Sequence, residues 1–109
     1  MNQRDVVLVH YPYTNFEQTK LRPAVILSKD SFNRMHAFCI LCPITSQKTM
    51  PEFEIEVSPQ EIEGKLKAKS YIRTDNLMSI DKELILDQIG KINPSFFEKI
   101  KTRVEQNFA

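Results

Sequence analysis

The residues that could do chemistry in this chain are polar side chains placed beside the ends of strand-like runs. Arg22 stands where a polar loop gives way to an apolar run, and Thr45 and Ser46 follow the run that ends at Ile44. Arg73 and Asp75 lie two apart, and so share a face if a strand continues through them. Two arginines, two hydroxyls and one carboxylate form a set that can grip a phosphate and move protons. The same Arg73–Asp75 spacing also fits a plain surface ion pair. Other chemistries lack their parts: the sequence holds no histidine pair, nucleophilic-serine elbow, glycine-rich phosphate loop or clustered carboxylates for magnesium. The inventory allows metal-free phosphate chemistry and implies no cofactor.

Cys39 and Cys42 form a C-x-x-C with His36 nearby, which invites a redox or zinc reading. In a strand, residues three apart point to opposite faces, so the thiols would not converge, and no second Cys/His pair stands at zinc spacing. Packing is the expected role of both.

These residues need elements to hold them. Val6–Val9 reads as a strand bounded by Pro12, and 14–20 as the loop after it. A second strand is expected over Ala24–Ser28, started by Pro23, whose missing N–H suits a strand start or an edge. Lys29–Met35 reads as a connection, Ala37–Ile44 as a buried strand, and Gln47–Pro51 as a loop. Phe53, Ile55 and Val57 alternate with Glu52, Glu54 and Glu56, which predicts one core face and one solvated acidic face. Ser58-Pro59-Gln60-Glu61 has the spacing of a capping box and predicts a helical turn before Gly64. Further strands are expected over Ser70–Thr74 and Leu86–Ile92, with a turn at Asp81–Glu83 between them. Asn93 and Pro94 then open a helix whose apolar stripe is Phe96, Phe97, Ile100 and Val104. The sum is a mainly β chain: an antiparallel barrel-like sheet with a C-terminal α-helix against it.

With 109 residues the chain suits a single domain over 1–109. A formal charge of +1 means that any nucleic-acid site must be a local basic patch. No apolar run approaches membrane-span length, and the charged start Asn2-Gln3-Arg4-Asp5 is not a secretory signal, so a cytoplasmic location without membrane contact is the expectation.

Four segments, in order along nearly the whole chain, resemble the MazF/PemK family of toxins. They are Asp5–Thr14 with its aromatic–Pro–aromatic–Thr stretch, Leu21–Ser28 with its Arg-Pro start, Pro43–Ser46, and Ser70–Leu77 followed by Ser79–Lys82. The resemblance implies a small SH3-like barrel of the CcdB/PemK toxin type, a homodimer, and cleavage of single-stranded RNA without a metal. The 2′-hydroxyl would attack the adjacent phosphorus, leaving a 2′,3′-cyclic phosphate and a 5′-hydroxyl. A cognate antitoxin with an acidic, disordered tail is the implied partner. The family's catalytic arginine and threonine map onto Arg22 and Thr45, and an arginine and aspartate of its PemK branch onto Arg73 and Asp75. Arg22 would stabilise the phosphorane and could donate to the leaving 5′-oxygen, Thr45 would hydrogen-bond the same phosphate, Asp75 would be the base, and Arg73 would hold the phosphate or orient Asp75. Phe16, Lys20, Ser46 and Lys48 are the expected RNA contacts. Arg4 departs from the family by replacing a glycine, His10 by replacing an acid, and Phe16 by replacing a functional histidine. His10 could meet RNA or be a half-buried strand histidine; Phe16 could stack a base or pack on its own strands. Two other functions fit the same fold: a CcdB-like gyrase poison, which in relatives uses a tryptophan-type anchor that this chain lacks, and a non-catalytic RNA- or peptide-binding barrel.

Overall fold

The protein, described from a computed structural model, is seen over residues 1–12, 19–64, 66 and 68–109. Its strands are β1 (Asp5–Pro12), β2 (Thr19–Ile26), β3 (Phe38–Thr45), β4 (Glu54–Val57), β5 (Ile62–Gly64), β6 (Ser70–Arg73), β7 (Met78–Asp81) and β8 (Ile85–Ile92). A short helix α1 (Asp30–Met35) precedes β3, and α2 (Pro94–Gln106) follows β8. The strands form one curled antiparallel sheet in the order β4-β6-β3-β2-β1-β8-β5. β7 pairs with the Phe38–Leu41 part of β3, and β6 with Ile44 and Thr45 at its far end. This is the expected mainly β architecture with one C-terminal helix.

Register sorts the side chains onto two faces, because directly paired residues project to the same side of a sheet. Val6, Val25, Cys42, Ile44, Ile72, Val57 and Ile92 form one core together with Phe96, Phe97 and Ile100 of α2. The helix sits there because its apolar stripe falls on one side, and Asn93 caps it by accepting a hydrogen bond from Phe96 N at 2.8 Å. The opposite face carries a second core of Val7, Val9, Ala24, Ile26, Cys39, Leu41, Ile80 and Ile85. The two cysteines are free and buried in different cores, as a three-residue spacing on a strand requires.

Several elements differ from the sequence expectation. β2 begins at Thr19, so Pro23 lies inside the strand rather than at its start; its ladder with β3 runs only from Ala24 to Ile26, so Pro23 sits where no β3 partner needs its N–H. The connection after β2 contains α1, while β5 and β7 are strands in segments that read as turns. Ser58 makes no side-chain cap; Pro59–Glu61 is a single 3-10 turn leading into β5. The acidic face of β4 is also not uniformly solvated: Glu56 is exposed but Glu54 is buried, for reasons that belong to the site.

Arg4 has φ 77°, the left-handed region that glycine enters without a Cβ penalty. Its place is fixed from both sides, since Arg4 N donates to Ile26 O and Ile92 N donates to Arg4 O, each at 2.9 Å. The following Asp5 is 3% exposed, accepts from Asn2 N at 2.9 Å and Gln88 Nε2 at 3.1 Å, and pairs with Lys91 at 3.5 Å. It anchors the β1 start to β8 and is far in register from the residues below.

Candidate active site

The candidate residues gather where the second core runs out. Arg22 pairs with Val9 and Lys20 with Tyr11, so these four side chains continue the face that holds Val7, Ala24 and Ile26. Thr45 extends the same face of β3 from Leu41 and Pro43, and pairs with Tyr71 of β6. Arg73, two residues on from Tyr71, pairs with Glu54 of β4. Arg22 and Thr45 each lie two residues beyond Ala24 and Pro43, the last pair of the β2–β3 ladder. Strands that are tightly joined over the apolar core thus part at the end where the polar side chains stand. His10 has the opposite parity on β1, projects away from Arg22, and is half-buried, so the alternative of a half-buried strand histidine is the one its position fits.

Asp75 is not on a strand, since β6 stops at Arg73, yet the two side chains meet. Arg73 Nε donates to Asp75 Oδ1 and its Nη2 to Oδ2, both at 3.0 Å. The turn between β6 and β7 is what brings the carboxylate round. Thr74 is 1% exposed and donates through both N and Oγ1 to Phe53 O, at 2.9 and 2.6 Å. Asn76 N closes the turn on Arg73 O at 3.3 Å, and the side chain of Asn107, the residue after α2, donates to Thr74 O at 3.0 Å. The ion pair weighed as the bland alternative is therefore formed, and it joins two candidate residues. The hydrogen bonds and charge of Arg73 hold the Asp75 carboxyl below the usual carboxylate range, and Asp75 in turn raises Arg73.

Two functional-looking residues escaped the sequence reading. Glu54, expected in solvent, has a carboxylate 1% exposed that lies 3.9 Å from Arg73 Nε. It accepts from Thr49 N at 3.0 and 3.3 Å, from Thr49 Oγ1 at 3.2 Å and from Met50 N at 3.0 Å. Burial is tolerated because donors surround the charge. Tyr11, whose hydroxyl is buried and closes no hydrogen bond of standard geometry, has Arg22, Arg73 and the Asn76 side chain in its surroundings. Burial, with Cys42 adding to it, pushes the phenol up to about 12 against the pull of both arginines, so it stays neutral at ordinary pH. Neither was legible, because a tyrosine or glutamate in an alternating strand looks like any other.

Thr45 Oγ1 accepts from Gln47 N at 3.1 Å, which occupies an acceptor position and leaves the hydroxyl hydrogen to donate. Ser46, Lys48 and Lys20 are exposed and Arg22 half-buried; among the described residues Arg22, Lys20 and Lys48 make no ion pair. Phe16 lies outside the described residues. Among the described residues no cluster of three or more His, Cys, Asp or Glu could hold a metal ion, and burial pushes the Cys42 thiol up to about 12, which keeps it from acting as a thiolate.

Fold and site together define a small curled-sheet protein with a cationic, hydroxyl-bearing end suited to a phosphodiester. Over residues 2–108 the chain matches the family described as PemK-like, MazF-like toxins of type II toxin–antitoxin systems, and it belongs to that family. It is 36% identical over 61 residues to the endoribonuclease toxin MazF of Escherichia coli K12, a match spanning 55% of each chain, so that it covers about half the length of that relative. Among solved structures it resembles an endoribonuclease in complex with its cognate antitoxin from mycobacterial species, with a TM-score of 0.81, 18% identity, and coverage of 99% and 94% of the two chains. It resembles equally a MazE–MazF complex of Deinococcus radiodurans, with a TM-score of 0.81, 16% identity, and coverage of 99% and 95%. At such identities the structural likeness is one of fold. No helix of the described residues is long and apolar enough to cross a membrane.

Proposed function

We propose that the chain is a single toxin domain that cleaves single-stranded RNA in the cytoplasm without a metal, as a homodimer restrained by an antitoxin with an acidic, disordered tail. The observation that carries this reading is the gathering of Arg22, Thr45 and Arg73 on one sheet face, in a chain of this family. The named functions of the relatives point the same way, since the Escherichia coli protein is an endoribonuclease toxin and the Deinococcus radiodurans neighbour is bound to MazE. Exposed Leu21, Leu77, Leu84 and Leu86 offer apolar surface for a second copy to cover.

Chemically, the 2′-hydroxyl of the substrate attacks the neighbouring phosphorus in line, the bond to the 5′-oxygen breaks, and a 2′,3′-cyclic phosphate and a 5′-hydroxyl remain. Charge accumulates on the non-bridging oxygens, where the Arg22 guanidinium and the donating Thr45 hydroxyl act. Asp75 takes the 2′-proton; the departing 5′-oxygen, hydrogen-bonded by Arg22, gains a proton from water and leaves as the 5′-hydroxyl, and Asp75 returns its proton to the solvent. While chelated by Arg73 it is a weak acceptor, because its proton affinity is lowered. A phosphate that engages Arg73 competes with Asp75 for the same donors, loosens the chelate and raises that affinity when the proton must be received. Ser46, Lys20 and Lys48 are the proposed contacts to the RNA backbone, with Phe16 as a proposed base-stacking side chain.

The test is a labelled single-stranded RNA incubated with the protein in EDTA, with the ends of the products analysed. Cleavage to a cyclic phosphate and 5′-hydroxyl is expected, blocked by 2′-deoxy substitution at the cut nucleotide. Arg22→Ala is expected to lower the rate about a hundredfold with the fold intact. Cutting of the deoxy substrate, or an undiminished Arg22→Ala rate, would contradict the mechanism.

A further inference from the structure

Glu54 holds the only carboxylate among the described residues that is nearly solvent-free and sits beside Arg73. Its neighbour Glu56 shares the strand face two residues on, yet is exposed and pairs with Lys69 at 3.4 Å across solvent. One strand thus carries two glutamates of equal chemistry, one an ordinary surface charge and the other enclosed. The enclosed one faces two ways. On one side it accepts the backbone N–H groups of Thr49 and Met50 and the Thr49 hydroxyl, closing the loop that carries Lys48. On the other it faces the Arg73 Nε, which is already committed to Asp75 at 3.0 Å.

We propose that Glu54 is a positioning residue of the RNA site, one buried carboxylate that sets the Lys48 loop and the Arg73 guanidinium relative to each other. The proposal rests on the ribonuclease reading and deepens it. An exposed lysine on an untethered loop adds general attraction for RNA but no defined contact; a lysine on a loop latched at two successive backbone amides adds one. Arg73 faces a related problem. When phosphate displaces Asp75, the guanidinium loses its bidentate partner, and a long side chain without one samples other rotamers. Glu54 remains as a fixed counter-charge 3.9 Å from the same Nε, so Arg73 can exchange carboxylate for phosphate without leaving its place. The register supports this division: Glu54 is the cross-strand partner of Arg73, whereas Asp75 reaches it from a turn.

The experiment compares the whole protein with Glu54→Gln, Glu54→Asp and Glu56→Gln, measuring kcat and KM on a single-stranded RNA, each variant also combined with Lys48→Ala. Glu54→Gln keeps the size and one carbonyl acceptor but removes the charge; Glu54→Asp keeps the charge and withdraws it by one methylene. Both are expected to lose about tenfold or more in kcat/KM, with kcat itself reduced, while Glu56→Gln stays near the parent. In the parent Lys48→Ala should raise KM severalfold; in either Glu54 variant it should change KM little, because the loop is already unlatched. That loss of additivity is a signature that a merely destabilising substitution does not produce. If Glu54→Gln unfolds at the assay temperature, Glu54→Asp carries the same test. Active parent protein with unchanged kinetics in both Glu54 variants, or with a fully additive Lys48→Ala effect, overturns the proposal alone. Inactive parent protein overturns the ribonuclease reading and this proposal with it.

Discussion

Replacing the two members of the Arg73–Asp75 chelate should cost unequal amounts, and the inequality can be worked from the surroundings. The pair has two N–H···O contacts of 3.0 Å, with side chains 27% and 22% exposed. Coulomb attraction across about 4 Å at an effective dielectric near 20 gives roughly 4 kcal/mol, but solvent screening and the entropy of fixing both side chains leave about 1 kcal/mol for a well-aligned, partly exposed pair. Asp75→Asn should therefore destabilise by about 0.5–1 kcal/mol, because Arg73 keeps Glu54 nearby. Arg73→Gln should cost about 1.5–3 kcal/mol, because it also leaves the Glu54 carboxylate, 1% exposed, without its cation. The pair has a pH signature too. Asp75 titrates below its ordinary value in the folded protein, and unfolded aspartate titrates near about 4. The unfolded chain therefore takes up the proton first on acidification, so the coupling is fully present above about pH 4 and is lost as pH falls through the depressed value. Urea denaturation of the parent, both single variants and the double variant, at neutral and acid pH, closes the cycle. Equal costs for the two single variants, or a coupling that does not decline in acid, would refute the reasoning.

Two further outcomes are expected. Tyr11→Phe deletes a buried hydroxyl that closes no standard hydrogen bond, so stability should be unchanged or rise by up to about 1 kcal/mol in denaturant titrations; a loss of more than about 1 kcal/mol would mean that the hydroxyl has a partner in solution. An acidic peptide from the antitoxin's tail should compete with RNA and weaken as salt rises, with Lys48→Glu impairing binding of both ligands and Lys101→Glu, on α2 and paired within its own helix to Glu98, impairing neither; equal loss from both substitutions would point to general charge instead of a shared surface.

Local pattern was enough for the elements whose signals are dense. The N-cap, proline and apolar stripe specify α2 because capping and burial both act within its own few turns. The dense apolar runs specify β1 and β3, since each supplies side chains to both cores. Some of the short elements carry too few residues for such a signal. β5 and β7, with three and four residues, exist only because β8 and β3 offer them edges to pair with. The candidate site divides in the same way. Arg22, Thr45, Arg73 and Asp75 could be singled out from residue type and family resemblance, since a phosphate site needs those groups whatever holds them. That Arg22, Thr45 and Arg73 share a face is a matter of register among β1, β2, β3 and β6, and a slip by one residue would have put any one of them on the helix side. The contrast between Glu54 and Glu56 goes further. The sequence gives both the same alternating neighbourhood, and only the loop folding back over one of them decides which is surface charge and which is latch. Side-chain chemistry is written residue by residue, but burial is a property of what the rest of the chain places on top.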